Sequence, residues 1–186
     1  MVVKLVILGG SGAGKSTQAQ KLCSQLEIPL ISTGELLRQA IANFSNLGRL
    51  AQPYIATGEL VPDEVIIEFI LNQLKQPDAN RGWVLEGYPR TAFQAEELDF
   101  LLDELGQQLT WAIYLQVPQA VMVSRALGRS LPDDQPEIVQ RRVELFYDRT
   151  IPILEYYDRR RRLLTINGDQ SPEMVLHTIM NLLSVC

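Results

Sequence analysis

The stretch Gly9-Gly10-Ser11-Gly12-Ala13-Gly14-Lys15-Ser16-Thr17 constrains this chain more than any other. Ahead of it, residues 2–8 form a short, β-branched apolar run with one lysine, which predicts a buried strand. Behind it, residues 18–27 place Ala19, Leu22, Cys23 and Leu26 on one helical face. Strand, glycine loop and helix in that order fit the pattern G-x-x-x-x-G-K-[ST]. The chemistry accounts for each residue type. Glycines let main-chain N–H groups turn inward and approach a phosphate closely. The helix N-terminus that follows adds partial positive charge. Lys15 supplies a mobile cation for outer phosphates, and Ser16 or Thr17 a hydroxyl for Mg²⁺ or a phosphate oxygen. A glycine-rich turn with an incidental lysine would not bring strand, hydroxyl and helix together, so the pattern marks a phosphate binder.

The 186 residues suffice for one sizeable α/β core with small inserts. The formal net charge is −5, so a polyphosphate site must concentrate its cations locally. The same charge disfavours bulk nucleic-acid binding. The cysteines, Cys23 and Cys186, form neither a disulfide framework nor a metal-ligand spacing, as expected of a reducing, cytoplasmic setting. Met1 leads directly into the first strand, so no leader is expected, and no apolar run approaches a membrane span.

Further strands are predicted over residues 28–32, 82–86, 109–117 and 163–166. Helices are predicted from Thr33, over 47–57 with Gly58 closing it, from Val61-Pro62-Asp63 to Leu74, and through Leu98 to Leu105. Others cover 120–127, 138–157 with a break near Pro152, and 171–185. Asp63 reads as a cap or first-turn acid. Alternating strands and helices imply a parallel sheet with helices on both faces and a ligand at the carboxyl ends of the strands. Residues 33–76 read as an inserted helical flap and residues 128–136 as a short loop.

Several separated strings then recur in one order. They are Gly9 to Gln18, Ser32-Thr33-Gly34 with Arg38, Gly58-Glu59-Leu60-Val61-Pro62-Asp63, and Gly87-Tyr88-Pro89-Arg90-Thr91 with Gln94. Arg125-Ala126-Leu127-Gly128-Arg129, Asp133-Asp134 and Arg142 complete the set. Together they resemble the nucleoside monophosphate kinases, and most closely the adenylate kinases, over essentially the whole chain. The resemblance implies a single P-loop domain of three α/β/α layers over residues 1–186, with a five-stranded parallel sheet. Its core would be residues 1–32, 77–127 and 137–186, its monophosphate-binding insert about 33–76 and its very short lid about 128–136.

The implied reaction is Mg·ATP + AMP ⇌ 2 ADP, which balances cellular adenine nucleotides. By resemblance, Gly12, Ala13, Gly14, Lys15, Ser16 and Thr17 would cradle the ATP phosphates, with Lys15 following the transferring group. Thr33 and Gln94 would read the AMP base, and Arg38 and Arg90 would clamp its phosphate. Gly34, Gly87, Tyr88 and Pro89 belong to the same AMP side, and Glu59, Leu60 and Val61 would wall its pocket. Arg125 would cover the ATP adenine, with backbone near Gln170 touching it. Arg129 would reach the ATP phosphates and Arg142 the transferring phosphoryl or the AMP phosphate, so Lys15, Arg90, Arg129 and Arg142 form the catalytic set. Mg²⁺ would be bound through nucleotide phosphates and water, with no metal-ligating protein residues. The partners are ATP, AMP and ADP, without nucleic acid or membrane, and the resemblance leans to a monomer. Arginine suits this chemistry, since its planar fork binds phosphate oxygens in pairs and stays charged.

Blander roles stand beside these. Arg38, Arg125 and Arg129 can be solvated surface charges, and Asp133-Asp134 can cap the following helix. Arg159 to Arg162 reads as a solvated helix end, and His177 as a solvated side chain. The chain also departs from the family pattern. Ser16 stands where the family has glycine, Glu86 where it has aspartate, and Leu131 where it has a third lid arginine. Arg129 must then serve the lid alone, while Leu131 packs it. A nucleotide-binding sensor with weak turnover, a kinase of another monophosphate such as UMP or CMP, and a small-metabolite P-loop kinase of the shikimate type remain as alternatives.

Overall fold

A computed structural model describes residues 2–129, 131 and 134–185 of the chain. Its sheet consists of β1 (Val3–Leu8), β2 (Leu30–Ser32), β3 (Gly82–Glu86), β4 (Trp111–Gln116) and β5 (Leu163–Asn167), all parallel, in the order β2-β3-β1-β4-β5. The strands read as continuous apolar runs because both faces are covered. Along β1 the side chains alternate between two cores: Val6 and Leu8 enter one, Leu5 and Ile7 the other. Trp83 and Leu85 join the first core and Val84 the second, so the sheet separates two helical layers.

Helix α1 (Lys15–Leu26) packs Ala19 and Leu22 onto the second core and ends where Glu27 turns left-handed at φ 54°. That turn delays β2 to Leu30, two residues later than the apolar pattern suggests. Between β2 and β3 the chain leaves the sheet as α2 (Thr33–Ala42), α3 (Asn46–Thr57) and α4 (Asp63–Leu74). Helix α2 starts because Ser32 caps it, its hydroxyl accepting the Glu35 N–H. Asp63 is the first helical residue of α4 and makes no side-chain cap, so it is a first-turn acid.

After β3 come α5 (Ala92–Glu104), and after β4 come α6 (Gln119–Gly128) and α7 (Pro136–Leu145). The expected long helix over 138–157 is interrupted by a π turn over Phe146–Thr150 before α8 (Ile151–Arg159). Pro152 lacks an N–H and sits in the first turn of α8, so the irregularity falls just upstream of it. Helix α9 (Pro172–Val185) closes the second core with Val175, Ile179 and Leu183. His177 is exposed on it and bonds Asn181.

Within the insert, α2 and α3 meet backbone to backbone at Gly48. A Cβ there would lie 2.1 Å from the Ala40 carbonyl oxygen. Gly48→Ala is therefore expected to push α3 off α2 at a cost of about 1–3 kcal/mol. Hydrogen exchange should accelerate across residues 33–57 while β1 and β3 stay protected; unchanged exchange in the insert would refute this packing.

Candidate functional site

A cavity of about 320 Å³ opens at the carboxyl ends of β1 and β3. One wall is the loop from Gly9 to Gly14. The loop lies hard against α6: Gly12 has φ +85°, and a Cβ there would sit 2.0 Å from the Met122 carbonyl oxygen, so only glycine fits. Lys15 is the first residue of α1 and folds back, its Nζ donating to the Gly10 carbonyl at 2.8 Å. Ser16 and Thr17 are exposed and line the cavity. Ala13 does not line it; its methyl is buried in the second core and its N–H donates to the Gly10 carbonyl at 3.1 Å.

The opposite wall is built around the end of β3. The Glu86 carboxylate accepts the Ser32 hydroxyl at 2.8 Å, and the Glu86 carbonyl accepts the Thr33 hydroxyl at 3.3 Å. Beyond it run Gly87 and Tyr88, with a cis peptide bond to Pro89. Arg90 Nε donates to the Gly87 carbonyl at 2.9 Å, and the Thr150 hydroxyl donates to the Arg90 carbonyl at 2.9 Å. Thr91 caps α5 by accepting the Gln94 N–H at 3.1 Å. The Gln94 side chain accepts the Arg90 main-chain N–H at 2.7 Å and donates to Asp63 at 2.6 Å. Gly34, Leu60 and Val61 complete this side, and Arg38 stands exposed at its rim.

Positive charge is concentrated here, as an acidic chain with a phosphate site requires. Lys15, Arg38, Arg90, Arg125, Arg129 and Arg142 line the cavity, with Glu59 and Glu86 as its acidic lining residues. Burial is the main reason that the Lys15 ammonium is pushed down to about 8. The charges of Arg90, Arg129 and Arg142 push the same way and Glu86 opposes them. Arg129 bridges the cavity mouth: Nη2 donates to the Ser11 hydroxyl at 3.1 Å and to Asp134 at 2.7 Å, while Nε reaches the same carboxylate at 3.1 Å. The Asp134 side chain is only 1 % exposed and also stands 3.6 Å from Arg142. Of the two roles open to Asp134, helix cap or site residue, the second is the one its contacts favour. The cap position of α7 is Gln135, and Asp134 is spent on the arginines. Its neighbour Asp133 lies outside the described residues, as do Ser130 and Pro132 of the expected short lid.

Arg125 donates to the Gly168 carbonyl at 3.1 Å and pairs with Asp169 at 3.1 Å, tying α6 to the turn after β5. Gln170, expected beside the same ligand group, is exposed and outside the cavity lining. The Glu59 side chain turns outward to pair with Arg141 of α7 at 2.5 Å. That hydrogen bond holds the Glu59 carboxyl below the ordinary carboxylate range. Sequence reasoning missed Arg141 and the Asp63–Gln94 bond, because both are pairings between elements far apart in the chain. It also missed Phe146 and Thr150 on the π turn, for which Pro152 was the one local signal. Among the described residues, no group of three or more His, Cys, Asp or Glu side chains is placed to hold a metal ion.

Comparison with known proteins agrees with this geometry. A family model described as adenylate kinase matches residues 7–162. The chain is 79 % identical over 183 residues to "Adenylate kinase 2" of Nostoc sp., covering 98 % of this chain and 100 % of that protein. It is 52 % identical over 178 residues to "Adenylate kinase 2" of Synechocystis sp., covering 96 % and 98 %. Against "Adenylate kinase" of Acetivibrio thermocellus the identity is 34 % over 213 residues, covering 98 % of each chain.

The depressed Lys15 value has a direct readout. In the ligand-free protein, the Lys15 Cε resonance, assigned through Lys15→Met, should titrate near pH 8 rather than near 10.5. Charge on Lys15 is then full below the midpoint and lost as pH rises through it. Inorganic triphosphate should move the midpoint upward, because nearby anions favour the ammonium. A midpoint above 10 without ligand would contradict the site as described.

Proposed function

The chain belongs to the adenylate kinase family and transfers a phosphoryl group between ATP and AMP, and from that premise we propose that the cationic cavity at the strand ends holds both nucleotides end to end. The observation that carries this is the convergence of Lys15, Arg90, Arg129 and Arg142 on a single cavity, between the glycine loop on one wall and Thr33 with Gln94 on the other. The near-full-length identity to adenylate kinases disfavours the weak-turnover sensor, the kinase of another monophosphate and the small-metabolite kinase.

In this reading, Gly12, Gly14, Lys15, Ser16 and Thr17 receive the ATP phosphates, and Arg125 lies over the ATP adenine. Thr33 and Gln94 face the AMP base, Arg38 and Arg90 hold the AMP phosphate, and Gly34, Leu60, Val61, Gly87, Tyr88 and Pro89 shape that pocket. Glu59 contributes backbone to the wall, its carboxylate being engaged by Arg141. An AMP phosphate oxygen attacks the γ-phosphorus of ATP. The bond to the β,γ-bridging oxygen breaks, and its electron pair stays on the departing ADP. Little covalent help is needed, so catalysis rests on positioning and on charge matched to the three equatorial oxygens. Lys15, Arg129 and Arg142 supply that charge from the loop, the lid base and α7.

The oxygen donors beside the loop fit a magnesium ion held mainly by nucleotide phosphates and water: the exposed hydroxyls of Ser16 and Thr17 and the Glu86 carboxylate. When bound, such an ion neutralises part of the phosphate charge. A cytoplasmic setting is supported by cysteines that make no disulfide framework, and a monomer by the resemblance to short-lid relatives.

Coupled turnover of Mg·ATP against a panel of monophosphates tests the assignment of the acceptor wall. AMP should exceed CMP, UMP and GMP in kcat/KM by about one to two orders of magnitude, since a buried amide left unpaired costs about 1–3 kcal/mol. Equal use of CMP or GMP would overturn the roles of Thr33 and Gln94. On the donor side, Arg129→Ala should lower kcat by about a hundredfold, the scale of one preorganised charge donor. A nearly silent Arg129→Ala would mean that the lid contributes no charge to the transition state.

A further inference from the structure

Gln94 is 3 % exposed, lines the cavity from the first turn of α5, and is gripped from two sides. Its Oε1 accepts the Arg90 main-chain N–H at 2.7 Å, and its Nε2 donates to Asp63 Oδ1 at 2.6 Å. Neither partner can exchange roles. A main-chain N–H only donates, and an ionised carboxylate only accepts. Asp63 is the first residue of α4. Rotating the Gln94 amide by half a turn would set N–H against N–H at Arg90 and oxygen against oxygen at Asp63. Two such contacts in a buried place are costly. The neighbours therefore decide which end of the amide is oxygen and which is nitrogen.

One N–H and one lone pair of the amide remain for a ligand. The edge of a 6-aminopurine offers a donor at the 6-amino group and an acceptor at N1, which complement Oε1 and Nε2–H as oriented. A 6-oxopurine offers the reverse, an acceptor at O6 and a donor at N1–H, and requires the amide turned over. We propose that Asp63 is the specificity-determining positioning residue of the acceptor site: by holding the Gln94 amide in one orientation, it selects a 6-aminopurine monophosphate against a 6-oxopurine monophosphate. Asp63 is not part of the cavity lining and acts only through Gln94. The inference rests on the proposed reading of Gln94 as the residue that meets the AMP base.

IMP is the appropriate probe, because it differs from AMP only at the 6-substituent and the N1 proton. For the wild-type protein, kcat/KM for AMP should exceed that for IMP by about a hundredfold or more. Asp63→Leu should shrink that ratio by about tenfold, with the KM for ATP unchanged. Asp63→Asn, which disturbs α4 least, should also shrink it, by about threefold or more, because an asparagine amide can donate to a reversed Gln94. A purely structural role for Asp63 would lower AMP and IMP turnover together and leave the ratio intact in both variants, and that outcome overturns the proposal. Gln94→Leu separates the two levels. If it abolishes the ratio while both Asp63 variants preserve it, Gln94 reads the base and Asp63 does not orient it. If Gln94→Leu also preserves the ratio, the assignment of the acceptor pocket itself falls.

Discussion

Cations that must meet a polyphosphate have to be held together before it arrives. Lys15, Arg90, Arg129 and Arg142 share one cavity, and their mutual repulsion is strong where water is scarce. Acidic groups behind them offset it. The Asp134 carboxylate, 1 % exposed, takes Arg129 through two nitrogens and stands beside Arg142. Glu86 opposes the repulsion at Lys15 and is itself oriented by the Ser32 hydroxyl. Burial, more than the neighbouring arginines, still holds the Lys15 ammonium down at about 8. Such a site is poised for anions, because phosphate oxygens favour the charged form of the desolvated Lys15 and offset the repulsion among the cations.

The fold delivers these groups by making every strand end on the same side. Parallel strands bring the loop after β1 and the string after β3 to adjacent positions, and β2 adds Thr33 through its bond to the Glu86 carbonyl. The segment between β2 and β3 is tied to this frame by shared core packing, by the Asp63–Gln94 bond and by an exposed ion pair. Its side-chain bridge to α7, Glu59 with Arg141, is about two-fifths exposed at each partner. Solvent screens such a pair and leaves it a small stabilising contribution. The Asp134 carboxylate, at 1 % exposure, is shielded from such screening.

The departures from the family pattern are accommodated locally. The longer side chain at Glu86 reaches the Ser32 hydroxyl, and so couples the end of β3 to the cap of α2. Arg129 spans from Asp134 to Ser11 of the glycine loop, which supports the proposal that it serves this region without an arginine at position 131. Leu131 is half-buried, and its carbonyl accepts the Asp134 N–H at 3.0 Å, which helps to set the carboxylate facing Arg129.

From sequence alone came the features governed by neighbours in the chain. The glycine loop with Lys15 at a helix start, the alternation of buried strands and amphipathic helices, and the Ser32-Thr33-Gly34 and Gly87-Tyr88-Pro89-Arg90 strings are legible because their chemistry lies within a few residues. With the family resemblance they were enough for the parallel three-layer fold, and of the site residues so expected only Ala13, buried in the core, and Gln170, exposed, do not line the cavity, while Leu37, Ile66, Phe146 and Thr150 line it unforeseen. What the tertiary structure alone decided is partnership at long range. Asp134 could equally have capped α7, Gln94 has no local clue to Asp63, and Glu59 meets Arg141 across 82 positions of chain. A carboxylate carries the same charge wherever it sits. Its role follows from which donors the packed helices bring within hydrogen-bonding reach, and that is set by packing rather than by spacing along the chain.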